Sequence, residues 1–220
     1  MLTSSVIVPA NGAALAGDLI VPDGARGIVL FAHGSGSSRH SSRNRMVADG
    51  LNQAKYGTLL MDLLTADEER ADAATAELRF DIGMLTIRLT AAVDWLTAEP
   101  ATSALPLGLF GASTGAAAAL AAAAGRPAEV RAVVSRGGRP DLAGPWLGQV
   151  RAPVLMIVGG RDAQVAEWNR EASRKLAAPS DVRLVVGASH LFEEPGALEQ
   201  VQKLAAEWFR QHLHTATAHA

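Results

Sequence analysis

The chain has 220 residues, a formal net charge of −2 and no cysteine. The near-neutral charge excludes a global field that would attract nucleic acid or anionic lipid, and the absence of cysteine excludes disulfides, thiolate metal sites and a cysteine nucleophile. No window holds the roughly 18 consecutive apolar residues that a membrane span needs.

The length predicts a single domain over residues 1–214, followed by a polar tail over 215–220 that frays. The first residues combine neither a basic start nor an apolar signal core, so we expect a cytoplasmic protein. We expect no membrane or nucleic-acid partner, and the sequence leaves monomer and homodimer equally open.

In chain order, the first predicted elements are two strands over residues 6–21, joined by the turn dipeptide Asn11-Gly12. The continuous apolar run "GIVLFAHG" then predicts a strand that is buried on both faces. A helix near 41–55, the strand "GTLLMDL" and a long helix with apolar positions from Ile82 to Leu96 follow.

The second half repeats this rhythm of short apolar strands and amphipathic helices. Its predicted elements are the strand "LPLGLFG", an alanine helix, the strands "VRAVVSRG" and "APVLMIVGG", a helix around 164–177, the strand "VRLVVG" and a terminal helix. The alternation predicts an α/β fold: about eight mostly parallel strands with an antiparallel N-terminal hairpin, helices on both faces and little or no cap domain. Residues 63–81 are either a solvated helix or a mobile flap.

Ligands of parallel sheets bind at the carboxyl ends of the strands, so residues directly after strands are the candidates for chemistry. Ser113 follows one strand and precedes the alanine helix, with glycine two residues away on each side. This Gly-x-Ser-x-Gly pattern is typical of a nucleophile on a strained strand-to-helix turn.

A serine nucleophile needs a base, and the base needs an orienting carboxylate. His190 follows the last predicted strand and is the expected base; Asp162 ends the preceding strand and is favoured over Asp141 and Asp62. The order Ser113, Asp162, His190 matches the chain order of hydrolases with this turn.

Backbone N–H groups are expected to bind the oxyanion that develops during acyl transfer. Thr114, the residue after the nucleophile, supplies one of these donors, and Ser35 in the "HGSGSS" loop supplies the other. His33 in the same loop is interpreted as a loop-organising residue rather than as a second base.

Arginines follow two of the strand ends, Arg39, Arg43 and Arg45 after one and Arg136 and Arg139 after another. They either bind an acidic group of the substrate or cap helices and pair with nearby acids such as Asp141. The residues predicted to contact substrate are His33, Arg39, Arg136, Trp146 and Phe192.

Nearly the whole chain resembles the α/β-hydrolase superfamily, and within it the dienelactone hydrolase-like family. The resemblance is carried by "GIVLFAHGSGSS", "GASTG", "GGRD" and "GASHLFEEPGALEQV". "HGSGSSRHSSRNR" and "VVSRGGRPDLAG" look like small hydrolase-like proteins that are sometimes fused to phosphoribosyltransferase domains, although no phosphoribosyltransferase signature is present.

The resemblance implies a serine esterase without a metal or organic cofactor, acting on a small-molecule ester. Dienelactone hydrolases proper carry cysteine where this chain has Ser113, so the resemblance does not imply their enol-lactone substrate. A thioesterase, acyltransferase or perhydrolase with the same triad is an alternative, and so is a non-catalytic ligand-binding protein.

Overall fold

The computed structural model describes residues 1–213, and their centre is one eight-stranded sheet in the order β1-β2-β4-β3-β5-β6-β7-β8. The predicted tail at 215–220 lies outside the described residues, and a single domain over 1–214 stays a prediction. The strands are β1 Leu2–Ala10, β2 Ala13–Val21, β3 Ile28–Ala32, β4 Gly57–Met61, β5 Leu107–Ala112, β6 Val130–Arg136, β7 Val154–Gly159 and β8 Ser180–Val185.

The pairing confirms a mostly parallel sheet that opens with an antiparallel hairpin. Strand β1 pairs antiparallel with β2 around the turn at Asn11, where the backbone φ is 48°, and β2 pairs antiparallel with β4. All later pairs, from β3–β4 to β7–β8, are parallel. The carboxyl ends of β3, β5, β6 and β7 therefore lie along one edge of the sheet, which gathers the loops that follow them.

Helices cover both faces of the sheet, as predicted. The helices are α1 Ser42–Gln53, α2 Ala66–Thr75, α3 Ile82–Ala98, α4 Thr114–Gly125, α5 Ala163–Lys175 and α6 Ala197–His212, with short 3₁₀ segments at Leu78–Phe80 and Pro140–Gln149. Helices α1 and α6 pack together on one face, and α3, α4 and the 140–149 turns pack on the other. None of the helices within residues 1–213 is long and apolar enough to cross a membrane.

The apolar run of β3 shows why the central strands are hydrophobic at every position. Val29 and Phe31 belong to the core on the α1/α6 face, whereas Ile28, Leu30 and Ala32 belong to the core on the α3/α4 face. Successive side chains of a strand point to opposite faces, so a strand covered on both sides needs apolar residues throughout.

Residues 63–81 form helix α2 and a 3₁₀ turn between β4 and α3. The Thr65 side chain accepts from Glu68 N–H, and the Glu68 carboxylate accepts from Thr65 N–H, which is a capping box. Arg88 of α3 binds both carboxylate oxygens of Glu68 at 2.6 and 2.8 Å, and it lowers the pKa of Glu68 to about 2. The N-terminal end of α2 is thus bound to α3 through this ion pair. A flap-like motion of the segment stays a prediction.

Candidate active site

Ser113 lies on a sharp turn between β5 and α4, with a backbone φ of 51° that side chains other than glycine rarely adopt. The chain folds tightly here because of its flanking glycines. A Cβ on Gly111 would lie 2.4 Å from Ala116 Cα, and one on Gly115 would lie 2.4 Å from the carbonyl oxygen of Ala32. Only glycine fits at either position, which explains the Gly-x-Ser-x-Gly spacing.

Hydrogen bonds from the neighbouring strand end hold this turn in place. Ser113 N–H donates to the carbonyl of Arg136 at 3.2 Å, and the Ser113 carbonyl accepts from Arg139 N–H at 3.1 Å. The strained turn is therefore fixed from both sides of the serine, which is what a pre-organised nucleophile requires.

His190 and Asp162 are brought together by the loops after β8 and β7. His190 Nδ1 lies 2.7 Å from Asp162 Oδ2, and the other Asp162 oxygen accepts from Val165 N–H at the start of α5. Because a carboxylate only accepts, Nδ1 carries the proton and Nε2 is left as the nitrogen that can take one. The two alternative carboxylates lie elsewhere, Asp62 beside Arg39 and Asp141 beside Arg139.

The loop that carries His190 is held in place by two features that sequence reasoning did not identify. A Cβ on Gly159 would lie 2.4 Å from the carbonyl oxygen of Ser189, so glycine there lets the two loops touch. Glu194 accepts from Ser189 N–H at 3.0 Å, and this hydrogen bond lowers the pKa of the Glu194 carboxyl. Glu194 is the last residue of the string "HLFEE", but the sequence does not show that its carboxylate binds the backbone of Ser189.

Ser113 and His190 line one cavity of about 250 Å³, which we call the His190-side cavity. Their side chains make no direct hydrogen bond to each other in the described structure. A nucleophile and its base often form their hydrogen bond only when substrate is bound, so the shared cavity is compatible with the predicted pair. The cavity is lined by Gly34, Ser35, Ser37, Ser41, Arg43, Asn44, Ala112, Ser113, Arg136, His190 and Leu191.

The two residues predicted to bind an oxyanion lie on either side of Ser113. Thr114 is the first residue of α4, where N–H groups have no acceptor within the helix. The loop of Ser35 approaches closely, because a Cβ on Gly34 would lie 3.1 Å from Ser113 Cβ. Ser35 N–H makes no backbone hydrogen bond within residues 1–213, so it is available to a ligand.

A second cavity, of about 300 Å³, extends from the same loop toward α2 and is called the α2-side cavity. It shares Gly34, Ser35 and Ser37 with the His190-side cavity, and it contains Thr114. Its remaining lining includes three acids and one arginine, which lie directly after β4 or in the 63–81 segment: Asp62, Glu69, Asp72 and Arg79. The two cavities that meet at this loop thus differ in their charged side chains.

His33 connects the loops that follow β3 and β4. Its Nε2 accepts from Leu63 N–H at 3.0 Å, so the ring proton is on Nδ1, which donates to the Gly34 carbonyl at 2.9 Å. Burial lowers the pKa of His33, and the ring is therefore neutral at pH 7. Both nitrogens are occupied by backbone, as expected of a loop-organising residue, although His33 also lines the α2-side cavity.

Replacing His33 with glutamine is expected to lower the free energy of unfolding at neutral pH by about 1 to 3 kcal/mol, because at least one buried backbone group loses its partner. The pKa of His33 is lowered by folding, so the unfolded chain binds more protons as the pH falls below about 6.5. The wild type should therefore lose stability below that pH, and the variant should lose less. Urea unfolding of both proteins measures this difference in pH dependence. It is carried out from about pH 5 to about pH 8, a range that brackets the histidine pKa. Equal pH slopes would contradict a buried neutral His33.

Three residues predicted to contact substrate have other surroundings. Arg39 binds Asp62 through its side chain and its backbone N–H, and it lines neither cavity. Trp146 packs against the core on the α3/α4 face. Phe192 is 1% exposed and packs in the core on the α1/α6 face. The prediction that Phe192 forms part of the pocket surface is wrong for this structure, because the turn after His190 directs its ring inward.

Among residues 1–213, no three histidine, aspartate or glutamate side chains converge into a group that could hold a metal ion. The site described above consists of a hydroxyl, an imidazole, a carboxylate and backbone N–H groups.

The sheet, its helices and the turn at Ser113 define an α/β-hydrolase fold. The family model of the dienelactone hydrolase family matches residues 15–216, and the chain belongs to that family. The crystal structure of a dienelactone hydrolase from Anabaena variabilis ATCC 29413 is 55% identical, covers 97% of this chain and 99% of its own, and superposes with a TM-score of 0.95.

Two further relatives extend the comparison. A curated Mycobacterium tuberculosis H37Rv protein with the provisional name phosphoribosyl transferase is 57% identical over 208 residues, which are 94% of this chain and 46% of that protein. The chain thus spans about half the length of this relative. Est1E from Butyrivibrio proteoclasticus, at 15% identity, covers 94% of this chain and 98% of its own with a TM-score of 0.78, which is a likeness of fold.

Proposed function

We propose that the protein is a serine hydrolase that cleaves a carboxylic ester of a small molecule through an acyl-Ser113 intermediate. Membership of the dienelactone hydrolase family supports a hydrolase. The observation that carries the finer proposal is the 2.7 Å contact between His190 and Asp162, at a cavity that also contains the strained Ser113.

In this mechanism Ser113 Oγ attacks the ester carbonyl while His190 Nε2 takes its proton. Asp162 holds the His190 ring in the required tautomer and stabilises the imidazolium that forms. The N–H groups of Ser35 and Thr114 bind the developing oxyanion, and each such donor is worth about 10²- to 10³-fold in kcat.

The alcohol leaves with the proton from His190, and the acyl group stays on Ser113. Water then loses a proton to His190 as it attacks the acyl group, which releases the acid and regenerates the hydroxyl. These steps use only side chains and backbone groups of the chain itself, and no cofactor takes part in them.

A thioesterase, an acyltransferase or a perhydrolase would use the same residues, since these enzymes differ in the acyl donor or in what attacks the acyl group. A non-catalytic ligand-binding protein remains the alternative from another class. The relative's name phosphoribosyl transferase is not carried over, because the match covers only 46% of that protein.

A panel of p-nitrophenyl esters of increasing acyl length, with matched thioesters, tests the proposal on the wild-type protein. We expect ester hydrolysis to exceed thioester hydrolysis and to yield free acid even when an alcohol or hydrogen peroxide is added. Dominant transfer to the added alcohol or peroxide would indicate an acyltransferase or perhydrolase. No turnover of any substrate would favour the binding protein.

A further inference from the structure

Five arginines belong to the end of β6 or to the segments after β3 and β6, and four of them form ion pairs with acids. The pairs are Arg39 with Asp62, Arg43 with Glu193, Arg45 with Asp18 and Arg139 with Asp141. Arg139 also stacks on Trp168, with its guanidinium 4.2 Å from the ring centroid. Pairing with acids therefore accounts for these four arginines, and Arg136 is the one without an acidic partner.

Arg136, the last residue of β6, is only 8% exposed, yet within residues 1–213 no carboxylate pairs with it. One amino group, Nη2, donates to Asn44 Oδ1 at 3.2 Å, and the guanidinium lies 5.9 Å from the centroid of the Phe192 ring. Its other nitrogens, Nε and Nη1, are buried and have no acceptor. A buried charge without an acidic partner is costly, so its retention requires a reason outside the fold itself.

The charge of this group persists at neutral pH. Burial and the nearby Arg43 lower the pKa of Arg136 to about 10, which is still well above 7. Asn44 offers a neutral oxygen rather than a negative one, so it orients the guanidinium without cancelling its charge.

The position of Arg136 connects this charge to the nucleophile. Arg136 lines the His190-side cavity together with Ser113 and His190, and its carbonyl accepts from Ser113 N–H. Arg43 lines the same cavity and has a buried Nε without an acceptor; its partner Glu193 is 64% exposed. The charged side chains that line this cavity are thus the arginines Arg43 and Arg136, whereas the α2-side cavity is lined by three acids and one arginine, Asp62, Glu69, Asp72 and Arg79.

We propose that Arg136, assisted by Arg43, binds an anionic group on the alcohol portion of the substrate, either a carboxylate or a phosphate. Guanidinium N–H groups bind both anions through paired hydrogen bonds. The alcohol portion is assigned to this cavity because His190, which lines it, gives its proton to the leaving oxygen. The inference rests on the proposed ester hydrolysis and adds its substrate class.

Matched acetate esters test the proposal: 4-acetoxybenzoate and 4-acetoxyphenyl phosphate are anionic on the alcohol side, and 4-acetoxybenzamide is neutral. Each consumes one water and yields acetate and the corresponding phenol. We expect the wild type to prefer an anionic ester, and Arg136→Gln to lower the ratio of anionic to neutral kcat/KM by about 10- to 100-fold, as for lost hydrogen bonds to a charged group. The anionic ester whose kcat/KM falls more in Arg136→Gln shows whether the site prefers a carboxylate or a phosphate.

Arg139→Gln is the matched control, because it removes an arginine from the same loop that is already paired with Asp141. Its ratio of anionic to neutral kcat/KM should equal that of the wild type. The melting temperature of Arg136→Gln should equal or exceed that of the wild type, since an unpaired buried charge is removed. A lower melting temperature with an unchanged ratio would overturn the proposal in favour of a structural role.

A binding measurement separates this inference from the proposed function. If the wild type hydrolyses none of the esters, the ester hydrolase proposal fails, and thermal stabilisation by 4-hydroxybenzoate and phenyl phosphate still tests the anion site. Stabilisation that Arg136→Gln abolishes supports the site. Equal shifts in both proteins, or none in the wild type, would overturn it.

Discussion

Replacing Ser113 with alanine is expected to reduce kcat for p-nitrophenyl ester hydrolysis by about 10⁴- to 10⁶-fold, the range found when a serine nucleophile is removed. The loss follows from the proposed acyl-enzyme, which cannot form without the hydroxyl. Folding should be retained, because Ser113 makes its observed hydrogen bonds through its backbone. The measurement is steady-state kinetics, with circular dichroism as a check of the fold.

Ser103→Ala is the matched control for this experiment. Ser103 is an exposed serine on the turn after α3, and its replacement should leave kcat unchanged. Activity in a folded Ser113→Ala protein within about tenfold of the wild type, far above the residual rate expected without a nucleophile, would rule out Ser113.

Replacing Asp162 with asparagine is expected to reduce kcat by about 10⁴-fold, because the amide favours the wrong tautomer of His190 and cannot stabilise the imidazolium. Asparagine still caps helices well, so the contact with Val165 at the start of α5 should survive and the melting temperature should change little. The comparison of kcat with melting temperature separates an effect on His190 from an effect on the helix.

Asp141→Asn is the matched control, since Asp141 was one of the two other aspartates weighed as the orienting carboxylate. It binds Arg139 rather than a histidine, so its replacement should leave kcat within about threefold, as for an exposed ion pair of small energy. A large loss in Asp141→Asn, together with a small one in Asp162→Asn, would reverse the assignment.

The alternation of strands and helices was sufficient to predict the sheet. The run "GIVLFAHG" is apolar at every position because β3 is buried on both faces, and the alanine row becomes a helix that is buried throughout its middle. The 3₁₀ turns at Pro140–Gln149 were not predicted, because two prolines and two glycines interrupt any regular period there.

The site was predictable where a residue follows a strand, and less so where its environment depends on distant contacts. Ser113, Asp162 and His190 follow strands whose carboxyl ends share one edge, so their meeting could be expected. Phe192, two residues after His190, was expected in the pocket surface, but a backbone φ of 57° at that residue accompanies an inward ring. The pairing of Arg139 with Asp141, two residues away, could be expected from the sequence. The partners of Arg39, Arg43 and Arg45 are remote in sequence, so no local pattern shows that Arg136 alone is left without an acid.

Labelling with a p-nitrophenyl alkylphosphonate tests directly whether Ser113 is the nucleophile. The phosphorus of this reagent bonds to a serine nucleophile as p-nitrophenolate leaves. The adduct mimics the tetrahedral intermediate and is not readily hydrolysed, so it can be located by peptide mass spectrometry. If Ser113 is the nucleophile, labelling releases one equivalent of p-nitrophenolate per chain, the label is on Ser113, and folded Ser113→Ala is not labelled. Labelling of another residue, or an unlabelled wild-type protein that still hydrolyses esters, would contradict it.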